Sequence, residues 1–399
     1  MGICLMRCSL LDNGVFFYPE RNNLSRDKPC CMFSSVNKKE YPLRKIEFKN
    51  ILDSFNDPTR LKAIEALEKE EKFSSCNTCW KHEEAGYPSM RTRTSKLWKD
   101  ASPGIMKYLE LNTGNTCNIQ CIMCNPSDSL KTKVYTSLRE KFDKDFNKEI
   151  SKWHDSQYAR GLRKTDIDDI NFDTFKDLEY LKSTGGETFY SKEYWYMLEK
   201  LVERDYAKNI SVINVTNNTI ALDEYKLDLL KNFKRIKIFS SVDGVGDLCE
   251  SVRAGSKWKT VEENIKHLIE LSKEYPEKFI HTEPHSVVQV ANALQLNEIV
   301  DWWKSLVSEE WKDKIYFRIL DNPKYYDIRI LDRKVKDLII EKYEDKKELK
   351  HVSNYVKVNS DSESKDYSNI GLTIYEESCK INNANPDSSE VYRMIKDGI

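Results

Sequence analysis

The sequence predicts an α/β fold, a partial (β/α)6 TIM-like barrel with a small cysteine-rich N-terminal auxiliary domain and a C-terminal extension. Six short strand-like runs, several of them nearly continuous in apolar residues, alternate with amphipathic helical patterns in the middle of the chain, as expected of parallel strands covered on both faces. Six such units are fewer than the eight of a complete barrel. Nine of the eleven cysteines lie within the first 124 residues, before and at the start of this alternation.

These patterns divide the chain into three segments. Residues 1–100 are predicted to form the auxiliary domain, residues 101–325 the barrel and residues 326–399 the extension. Residues 140–170 break the alternation and are interpreted as an insertion, and the Ser-, Asp- and Asn-rich residues 353–368 as an exposed loop. The predicted strands are residues 106–111, 178–183, 210–216, 236–242, 286–290 and 315–320, and the helical patterns are residues 129–142, 192–203, 223–232, 258–269 and 296–306.

Composition excludes several classes of protein. Hydrophobic residues make up 39% of the chain and charged residues 32%, which suits a folded and soluble domain. The chain contains no apolar stretch of about eighteen residues, the length that a membrane span needs, and its first residues do not resemble a secretory signal, so we expect a cytoplasmic protein. The net charge is −1 and Lys and Glu are interspersed, which argues against a nucleic-acid partner.

The first predicted strand of the barrel runs into a loop with a distinctive cysteine spacing. Cys117, Cys121 and Cys124 form a C-x3-C-x2-C motif. A [4Fe–4S] cluster normally takes four cysteines, so three thiolates on one loop would leave one iron open to an external ligand. The alternative is zinc, which prefers four ligands, commonly in two spaced pairs. No fourth cysteine or histidine follows nearby, so the spacing favours the cluster.

The second predicted strand ends in a glycine-rich turn, Gly185-Gly186-Glu187. Two glycines allow the backbone to approach a ligand closely, and Glu187 offers a negative acceptor for an ammonium group. The alternative is an ordinary strand-to-helix turn, in which a glutamate is favourable in the first helical turn. The position of the turn, one strand after the cysteine loop, favours the binding interpretation.

Together these motifs resemble the radical S-adenosylmethionine superfamily. The resemblance implies that the open iron binds the amino and carboxylate groups of S-adenosylmethionine. It also implies that the reduced cluster breaks the sulfur–carbon bond, and that the resulting 5′-deoxyadenosyl radical takes a hydrogen from a substrate. A reductant such as flavodoxin or ferredoxin would then be a partner. The residue before the last cysteine is often aromatic in the family and is Met123 here, where its backbone would face the adenine.

The resemblance also implies which residues contact S-adenosylmethionine. The amino group of its methionine moiety would be held at Thr184, Gly185, Gly186 and Glu187. Asn, Asp, Ser and Gly are favoured at strand ends for turn and cap reasons alone, which is the alternative interpretation of the remaining positions. The residues that the resemblance places near the ribose, the carboxylate and the adenine are Thr216, Asn217, Ser241, Asp243, Arg253 and Asn292.

A second group of cysteines precedes the barrel. It consists of a single cysteine, a Pro-Cys-Cys and a Cys-x2-Cys-Trp, and it resembles the twitch-type auxiliary domain, a shortened relative of the SPASM domain. Those domains usually follow the barrel, but they precede it in a subgroup often found in phage-like sequences. The resemblance implies an auxiliary [4Fe–4S] cluster and favours Cys30 over Cys31. Zinc suits four thiolates in two groups as well. The implied ligands are Cys8, Cys30, Cys76 and Cys79.

We therefore expect a radical S-adenosylmethionine enzyme whose substrate is a peptide or protein, because relatives with auxiliary clusters often modify polypeptides. A small metabolite or nucleotide is the second candidate substrate. A zinc-stabilised binding protein without catalysis is the alternative from another class, but it leaves the C-x3-C-x2-C loop and the glycine-rich turn unexplained. The sequence does not identify a catalytic residue.

Overall fold

The computed structural model describes residues 7–19, 24–26, 28–33, 45–84, 88–95, 97–98, 102–124, 129, 161–321, 323–358 and 365–398. Its contacts divide the chain into two compact units. The first comprises Met1–Thr116, Tyr158–Asn214 and Leu222–Lys237, and the second comprises Cys117–Gln157, Val215–Ala221 and Ile238–Ile399. This division differs from the three consecutive segments expected from the sequence, because each unit is assembled from separate stretches of chain.

The helices and strands alternate from the middle of the chain onward, as predicted. The strands are β1 Gly14–Phe17, β2 Leu24–Arg26, β3 Lys45–Glu47, β4 Tyr108–Asn112, β5 Gln120–Cys121, β6 Tyr180–Thr184, β7 Ser211–Thr216, β8 Arg235–Ser241, β9 Arg253–Ala254, β10 Phe279–Val288 and β11 Tyr316–Ile319. The helices are α1 Ser9–Asn13, α2 Pro58–Glu68, α3 Asn77–Glu84, α4 Met90–Thr94, α5 Lys164–Asp168, α6 Lys192–Glu203, α7 Glu224–Lys231, α8 Asp247–Val252, α9 Trp258–Glu274, α10 Leu296–Leu306, α11 Arg333–Tyr343, α12 Lys350–Val358, α13 Lys365–Asn382 and α14 Glu390–Lys396.

The main sheet has seven strands in the order β1-β4-β6-β7-β8-β10-β11. The pairs β1–β4, β4–β6, β6–β7 and β10–β11 are parallel. From β4 onward the strand order follows the chain order, as in an α/β barrel in which each strand is added beside the previous one. The predicted α/β class with a partial-barrel arrangement is confirmed. Two strands form a small separate antiparallel pair, β2 with β3.

All six predicted barrel strands are present, and the main sheet has one further strand that precedes them in the chain. Gly14–Phe17 was expected to belong to the N-terminal auxiliary domain, but it pairs in parallel with β4 and is the first strand of the main sheet. All four of its residues are buried, as in a strand that is covered on both faces. The first unit therefore combines this strand with the cysteine-rich residues that follow it.

The expected loop at residues 353–368 was also wrong in part. Residues 350–358 form α12 and residues 365–382 form α13, while residues 359–364 lie outside the described residues. Val352 and Val356 are four positions apart and both fully buried, so an apolar helix face outweighs the local preference of Ser and Asn for loops. Most of the predicted insertion, residues 140–160, and the helical pattern at residues 129–142, apart from Ser129, also lie outside the described residues.

The C-terminal extension completes the core of the second unit. Its helices bury Tyr343, Ile374 and Val391 in the same apolar cluster as the barrel residues Val288 and Trp303. Hydrogen bonds between polar side chains and backbone add to this contact: Ser389 Oγ donates to the Ala291 carbonyl. Removing the extension would expose this apolar surface, so residues 326–399 support the strands of the second unit. In the described part of the chain, no helix is both long and apolar enough to cross a bilayer.

Candidate active site

The loop that carries the three cysteines begins directly after β4. Asn112 Oδ1, at the end of this strand, accepts a hydrogen bond from the Gly114 amide at 2.8 Å and so turns the chain. Gly114 has φ of 109°, a backbone conformation that favours glycine. Strand β4 therefore delivers the loop from its carboxyl end, where α/β folds place their functional sites.

Cys121 and its neighbours are fixed by a short antiparallel ladder in the second unit. Strand β5 pairs with β9, so that Cys121 lies directly opposite Arg253. The Ile122 amide donates to the Val252 carbonyl at 3.0 Å, and Tyr326 Oη donates to the Ile122 carbonyl at 2.5 Å. Cys121 is buried, whereas Cys117 and Cys124 are half-buried. The loop thus has a rigid middle and two more accessible thiols.

Asn217 is the cofactor-site candidate that contacts the cysteine loop in the second unit. Its Nδ2 lies 3.8 Å from Cys117 Sγ and 3.0 Å from Asn118 Oδ1. Its Oδ1 accepts from the Thr219 amide, which fixes the amide group in this orientation. Thr216, by contrast, has a turn role, because its Oγ1 accepts from the Asn218 amide at 3.1 Å.

Arg253, Asp243 and Asn292 form one buried polar network in the second unit. Arg253 Nη1 donates to Asp243 Oδ2 at 2.7 Å, and Asp243 Oδ1 accepts from the Val287 amide at 2.7 Å. Asn292 Nδ2 donates to the carbonyls of Asp243 and Val287, both at 2.9 Å. Burial disfavours the charged guanidinium, but the neighbouring Cys121 and Asp243 outweigh it and raise the pKa of Arg253. The three residues therefore lie together in the second unit.

The structure gives Ser241 and Met123 a position in the second unit but, among the described residues, shows no polar contact that links either side chain to the three cysteines of the loop. Ser241 is half-buried at the end of β8, while its neighbour Ser240 is buried and shares a 2.6 Å hydrogen bond with Thr282. Because successive side chains of a strand point to opposite faces, Ser241 lies on the face away from Thr282. Met123 packs partly buried against the apolar core of the second unit.

The glycine-rich turn holds the segment just before Cys117, within the first unit. The Gly186 amide donates to the Gly114 carbonyl at 2.7 Å and the Glu187 amide to the Thr116 carbonyl at 2.9 Å. A Cβ on Gly186 would lie 2.2 Å from the Thr116 carbonyl oxygen, so a larger residue would push the segment away. Gly185, with φ of 127°, also requires glycine. The Thr184 carbonyl accepts from the Thr113 amide at 2.8 Å.

Glu187 has a local structural role in addition to any ligand role. Its Oε1 accepts from the Phe189 amide at 2.9 Å and caps the 3-10 turn Thr188–Tyr190. The side chain is buried, with 1% of the residue exposed. The alternative that the sequence left open, a helix-start residue, is therefore part of its function in the fold.

Sequence reasoning missed a polar cluster on one face of β8, β10 and β11 in the second unit. The His285 ring stacks on Phe239, with centroids 3.9 Å apart and planes inclined by 19°. His285 Nε2 lies 3.0 Å from Glu283 Oε1. Tyr316 is opposite His285 in the β10–β11 register, with ring centroids 5.0 Å apart. We call these four residues the aromatic–histidine cluster.

The aromatic–histidine cluster lies on the sheet face opposite the flanking helices. Thr282 lines a cavity together with Ile269 of α9 and Trp303 of α10, so its side of β10 faces those helices. Successive side chains of a strand point to opposite faces, so Glu283 and His285 lie on the face away from Thr282. Along this strand residues 283, 285 and 287 are half-buried, while residues 282, 284, 286 and 288 are buried. The sequence does not show this alternation, because polar Thr282 and Ser286 occupy buried positions and apolar Val287 a half-buried one.

The first unit carries a buried ion pair on β4 and β6. Glu110 is opposite Lys182 in the parallel register, and Lys182 Nζ lies 2.9 Å from Glu110 Oε1. Only 2% of the Glu110 side chain and 14% of the Lys182 side chain are exposed. Burial lowers the pKa of Lys182, but the nearby Glu110 outweighs this effect and the net shift is upward. This pair was not predicted from the sequence, because the two residues are 72 positions apart in the chain.

Four of the N-terminal cysteines line one cavity in the first unit. Burial is the main cause that raises the pKa of Cys8, to about 11, and the pKa of Cys30 well above its usual range. Neighbouring thiols add to both shifts, which indicates mutual proximity. Within the described residues, no three His, Cys, Asp or Glu side chains are close enough to hold a single metal ion. The cysteines that line the cavity are Cys8, Cys30, Cys76 and Cys79.

The helix that carries Cys79 is anchored by charged and aromatic contacts. Trp80 Nε1 donates to the Phe73 carbonyl at 3.0 Å, and the Arg91 guanidinium lies 4.9 Å from the Trp80 ring centroid. Arg91 Nε also donates to Glu83 Oε1 at 3.0 Å. Burial raises the pKa of Glu83, but the hydrogen bonds from Arg91 and Ser89 outweigh it and lower the pKa. These contacts fix α3 and α4 around the cavity.

Comparison with known proteins gives structural neighbours but no sequence relatives. No protein-family model and no curated protein matches the sequence. The solved structure "Native anSMEcpe with bound AdoMet" is similar at 20% identity over 58% of this chain and 58% of that chain, with a TM-score of 0.37. Streptococcus suis SuiB bound to S-adenosylmethionine is similar at 14% identity over 79% of this chain and 65% of that chain, with a TM-score of 0.36. Both alignments span less than two thirds of the neighbour, and both TM-scores are below 0.5, so the functional conclusions below rest on the residues of this chain.

Proposed function

We propose that this chain is a radical S-adenosylmethionine enzyme. The observation that carries the proposal is the C-x3-C-x2-C loop at the carboxyl end of β4, which has polar residues beside two of its cysteines. Asn217 contacts Cys117, and Arg253 lies opposite Cys121. Neither a structural zinc site nor a buried-thiol interpretation requires three cysteines on one such loop.

The donor set fits a cluster with an open iron. Cys117, Cys121 and Cys124 would hold three irons of a [4Fe–4S] cluster, since thiolates are its ligands. Such a group supplies an iron that binds S-adenosylmethionine and electrons that cleave it. Among the described residues, Arg253 Nε is buried without a hydrogen-bond partner, which suits a donor oriented towards an anionic group.

We further propose that S-adenosylmethionine is held by the residues that the resemblance implies. Gly185 and Gly186 would expose backbone to the methionine moiety, and Glu187 would accept from its ammonium group. Asp243 and Asn292 fix the backbone at the ends of β8 and β10 through their mutual hydrogen bonds. Glu187, in the first unit, and Asp243 and Asn292, in the second, are each buried, which suits groups that bind a ligand out of contact with water.

The proposed substrate is a peptide or protein, with a small metabolite or nucleotide as the second candidate. The aromatic–histidine cluster supports substrate binding in the second unit, because Glu283 and His285 retain 16% and 22% side-chain exposure on the sheet face away from the helices. Partly exposed aromatic and ionisable groups on such a face can both bind a substrate and exchange a proton with it. A low-potential reductant such as flavodoxin or ferredoxin would supply the electron, in the cytoplasm.

We propose a second, auxiliary [4Fe–4S] cluster at Cys8, Cys30, Cys76 and Cys79. Their shared cavity supports it, and four thiolates would leave no open iron for S-adenosylmethionine. Its role would be electron transfer or support of the fold. Zinc remains the competing metal for this set, because four cysteines also suit a tetrahedral site.

Anaerobic reconstitution with iron and sulfide tests the main proposal. The reduced protein should cleave S-adenosylmethionine to methionine and 5′-deoxyadenosine slowly, even without substrate. Replacing Cys117, Cys121 and Cys124 by Ala should abolish the cleavage. A colourless protein that binds only zinc would instead support the zinc-stabilised binding protein. Cleavage that survives the triple replacement would rule out this loop as the site.

A further inference from the structure

Arg253 and Asp243 form a charged pair beside one of the proposed cluster ligands. We infer that the two residues set the reduction potential of the cluster in opposite directions, Arg253 raising it through Cys121 and Asp243 lowering it. This inference rests on the proposed function, since it requires the cluster at Cys117, Cys121 and Cys124. Arg253 would thus affect the reduction potential of the cluster even when no S-adenosylmethionine is bound.

Backbone geometry places Arg253 beside Cys121. Residues directly opposite each other in an antiparallel ladder have Cβ atoms about 4.5–5.5 Å apart, and Cys121 and Arg253 are such a pair. The adjacent hydrogen bond, from the Ile122 amide to the Val252 carbonyl at 3.0 Å, fixes the register. Their proximity therefore follows from the fold rather than from the rotamer of a flexible surface arginine.

Burial makes these charges effective over this distance. Arg253 is 8% exposed and Asp243 is fully buried. Charges in a protein interior interact several-fold more strongly than in water, and salt screens them less. Arg253 Nη1 donates a hydrogen bond to Asp243 Oδ2 at 2.7 Å. Arg253 Nε has no hydrogen-bond partner among the described residues. An unsatisfied buried donor beside a thiol can bond to the thiolate or sulfide that a cluster would bring.

The sign of each effect follows from charge. Reduction adds one electron, delivered by a low-potential one-electron reductant, and makes the cluster more negative. The Arg253 cation stabilises the added charge, whereas the Asp243 carboxylate opposes it and also attracts the guanidinium. Hydrogen bonds and net charge around a cluster are recognised determinants of its potential. Loss of Arg253 should therefore make reduction harder, and loss of the Asp243 charge should make it easier.

A purely structural pair behaves differently. If Arg253 and Asp243 only held β9 against the end of β8, replacing either one would loosen the site, and the two potentials would shift in the same direction or not at all. Contact with S-adenosylmethionine alone would also leave the potential unchanged when S-adenosylmethionine is absent. A redox titration without S-adenosylmethionine thus separates the three roles.

The experiment is an electron paramagnetic resonance redox titration of the reconstituted full-length protein without S-adenosylmethionine. It compares the wild type with Arg253→Lys, Arg253→Gln, Asp243→Asn and the double variant Arg253→Gln/Asp243→Asn. Arg318→Gln is the matched control, because Arg318 is an exposed arginine of the same unit. Iron and sulfide contents establish that each variant carries its cluster.

Opposite shifts would support the inference. At a fixed potential, the ratio of reduced to oxidised cluster should fall about tenfold in Arg253→Gln, equivalent to 59 mV for one electron, and rise in Asp243→Asn. Arg253→Lys and the double variant should lie near the wild type, and Arg318→Gln should not differ from it. Shifts of the same sign, or no shift in Asp243→Asn, would overturn it. Asp243→Asn is nearly isosteric, so it decides the question if Arg253→Gln does not fold. A wild type without any cluster would contradict the proposed function, which is a separate result.

Discussion

Cys30 and Cys31 are adjacent in the chain but belong to different environments. Cys30 lines the cavity shared with Cys8, Cys76 and Cys79. Cys31 is half-buried and, among the described residues, is not part of that lining. Its thiol contributes to the raised pKa of Lys182 on β6, and both cysteines contribute to the raised pKa of Tyr108 on β4. The Pro-Cys-Cys motif therefore has one residue in each environment.

This difference predicts the ligand of the auxiliary cluster. In protein that also lacks Cys117, Cys121 and Cys124, Cys30→Ala should lose most of the remaining iron, because a cubane needs its fourth thiolate. Cys31→Ala is the matched control and should keep it. Iron analysis and visible absorption measure both. Equal loss in the two variants would mean that both thiols serve the cluster or that the segment has unfolded, which circular dichroism distinguishes.

Two substitutions of Glu187 should separate its capping role from its proposed contact with the ammonium group of S-adenosylmethionine. Glu187→Ala removes the cap on Phe189 and the carboxylate, so both stability, by about 1 kcal/mol, and affinity for S-adenosylmethionine should fall. Glu187→Gln retains an oxygen for the cap but loses the charge. It should therefore keep its stability and lose affinity roughly tenfold, as expected for a charge-assisted hydrogen bond.

Calorimetry of reconstituted protein, alongside denaturant unfolding, measures the two effects of Glu187. Cluster content should stay normal in both variants. Unchanged affinity in Glu187→Gln would leave Glu187 as a capping residue only, and the proposed ammonium contact would be lost from the site.

The Glu110–Lys182 pair should matter more to stability than a surface ion pair. Lys182→Met leaves Glu110 as an unpaired charge with 2% side-chain exposure, which should destabilise the protein by about 3–5 kcal/mol. The double variant Glu110→Gln/Lys182→Met removes both charges and should recover a large part of the loss. Urea unfolding measures the three proteins. Equal stability of Lys182→Met and wild type would show that water reaches Glu110.

The same pair gives a pH dependence with a defined sign. The pKa of Lys182 is raised in the folded state, chiefly because Glu110 outweighs the opposing effect of burial. Its stabilising contribution is therefore fully present below the unfolded pKa of about 10.4, and it is lost as the pH rises through the higher folded pKa. Unfolding at neutral and alkaline pH should show this loss in the wild type and a smaller one in Glu110→Gln/Lys182→Met.

The aromatic–histidine cluster should affect the substrate and leave the cofactor chemistry intact. His285→Gln and Glu283→Gln are expected to cleave S-adenosylmethionine in the absence of substrate at nearly the wild-type rate, because neither residue is among the proposed cofactor contacts. Product analysis by liquid chromatography measures this. A tenfold slower cleavage with normal iron and sulfide content would instead indicate that the aromatic–histidine cluster contacts S-adenosylmethionine.

Local motifs explain why part of the site could be predicted from the sequence. Cys117, Cys121 and Cys124 are close in the chain, and Gly185–Gly186 directly follow a predicted strand, so both motifs can be found from short-range patterns. The His285–Phe239 stack and the Glu110–Lys182 pair depend on register between strands that are 46 and 72 residues apart in the chain. Periodicity alone does not determine register.

The errors in the predicted fold have a common physical cause. Gly14–Phe17 was recognised as strand-like, but its partner, β4, is more than ninety residues away, so its place in the main sheet was not evident. The Ser- and Asn-containing α12 was expected to be a loop, but buried Val352 and Val356 stabilise a helix there. In both cases a tertiary contact decided the outcome: pairing with a distant strand for Gly14–Phe17, and burial against the local preference for α12.

The metal content of the protein gives the strictest test of its two cysteine groups. Wild type should hold about eight irons, from two four-iron clusters, and the triple Cys117/Cys121/Cys124→Ala variant about four. Removing Cys76 and Cys79 should leave cleavage of S-adenosylmethionine measurable, provided that the protein folds, because those thiols line a separate cavity in the first unit. It should lower turnover of the true substrate.

Folding is coupled to this metal content as well. Burial raises the pKa of Cys8 and Cys30, so in the metal-free protein these thiols stay protonated at neutral pH, and a metal must displace their protons. The binding free energy that remains stabilises the segment that the cysteines hold together, and chelation should therefore lower its melting temperature. Element analysis of the triple variant decides which metal is responsible. Iron with sulfide supports the auxiliary cluster, whereas zinc without iron would make this part of the first unit a zinc module and leave the proposal for the C-x3-C-x2-C loop intact.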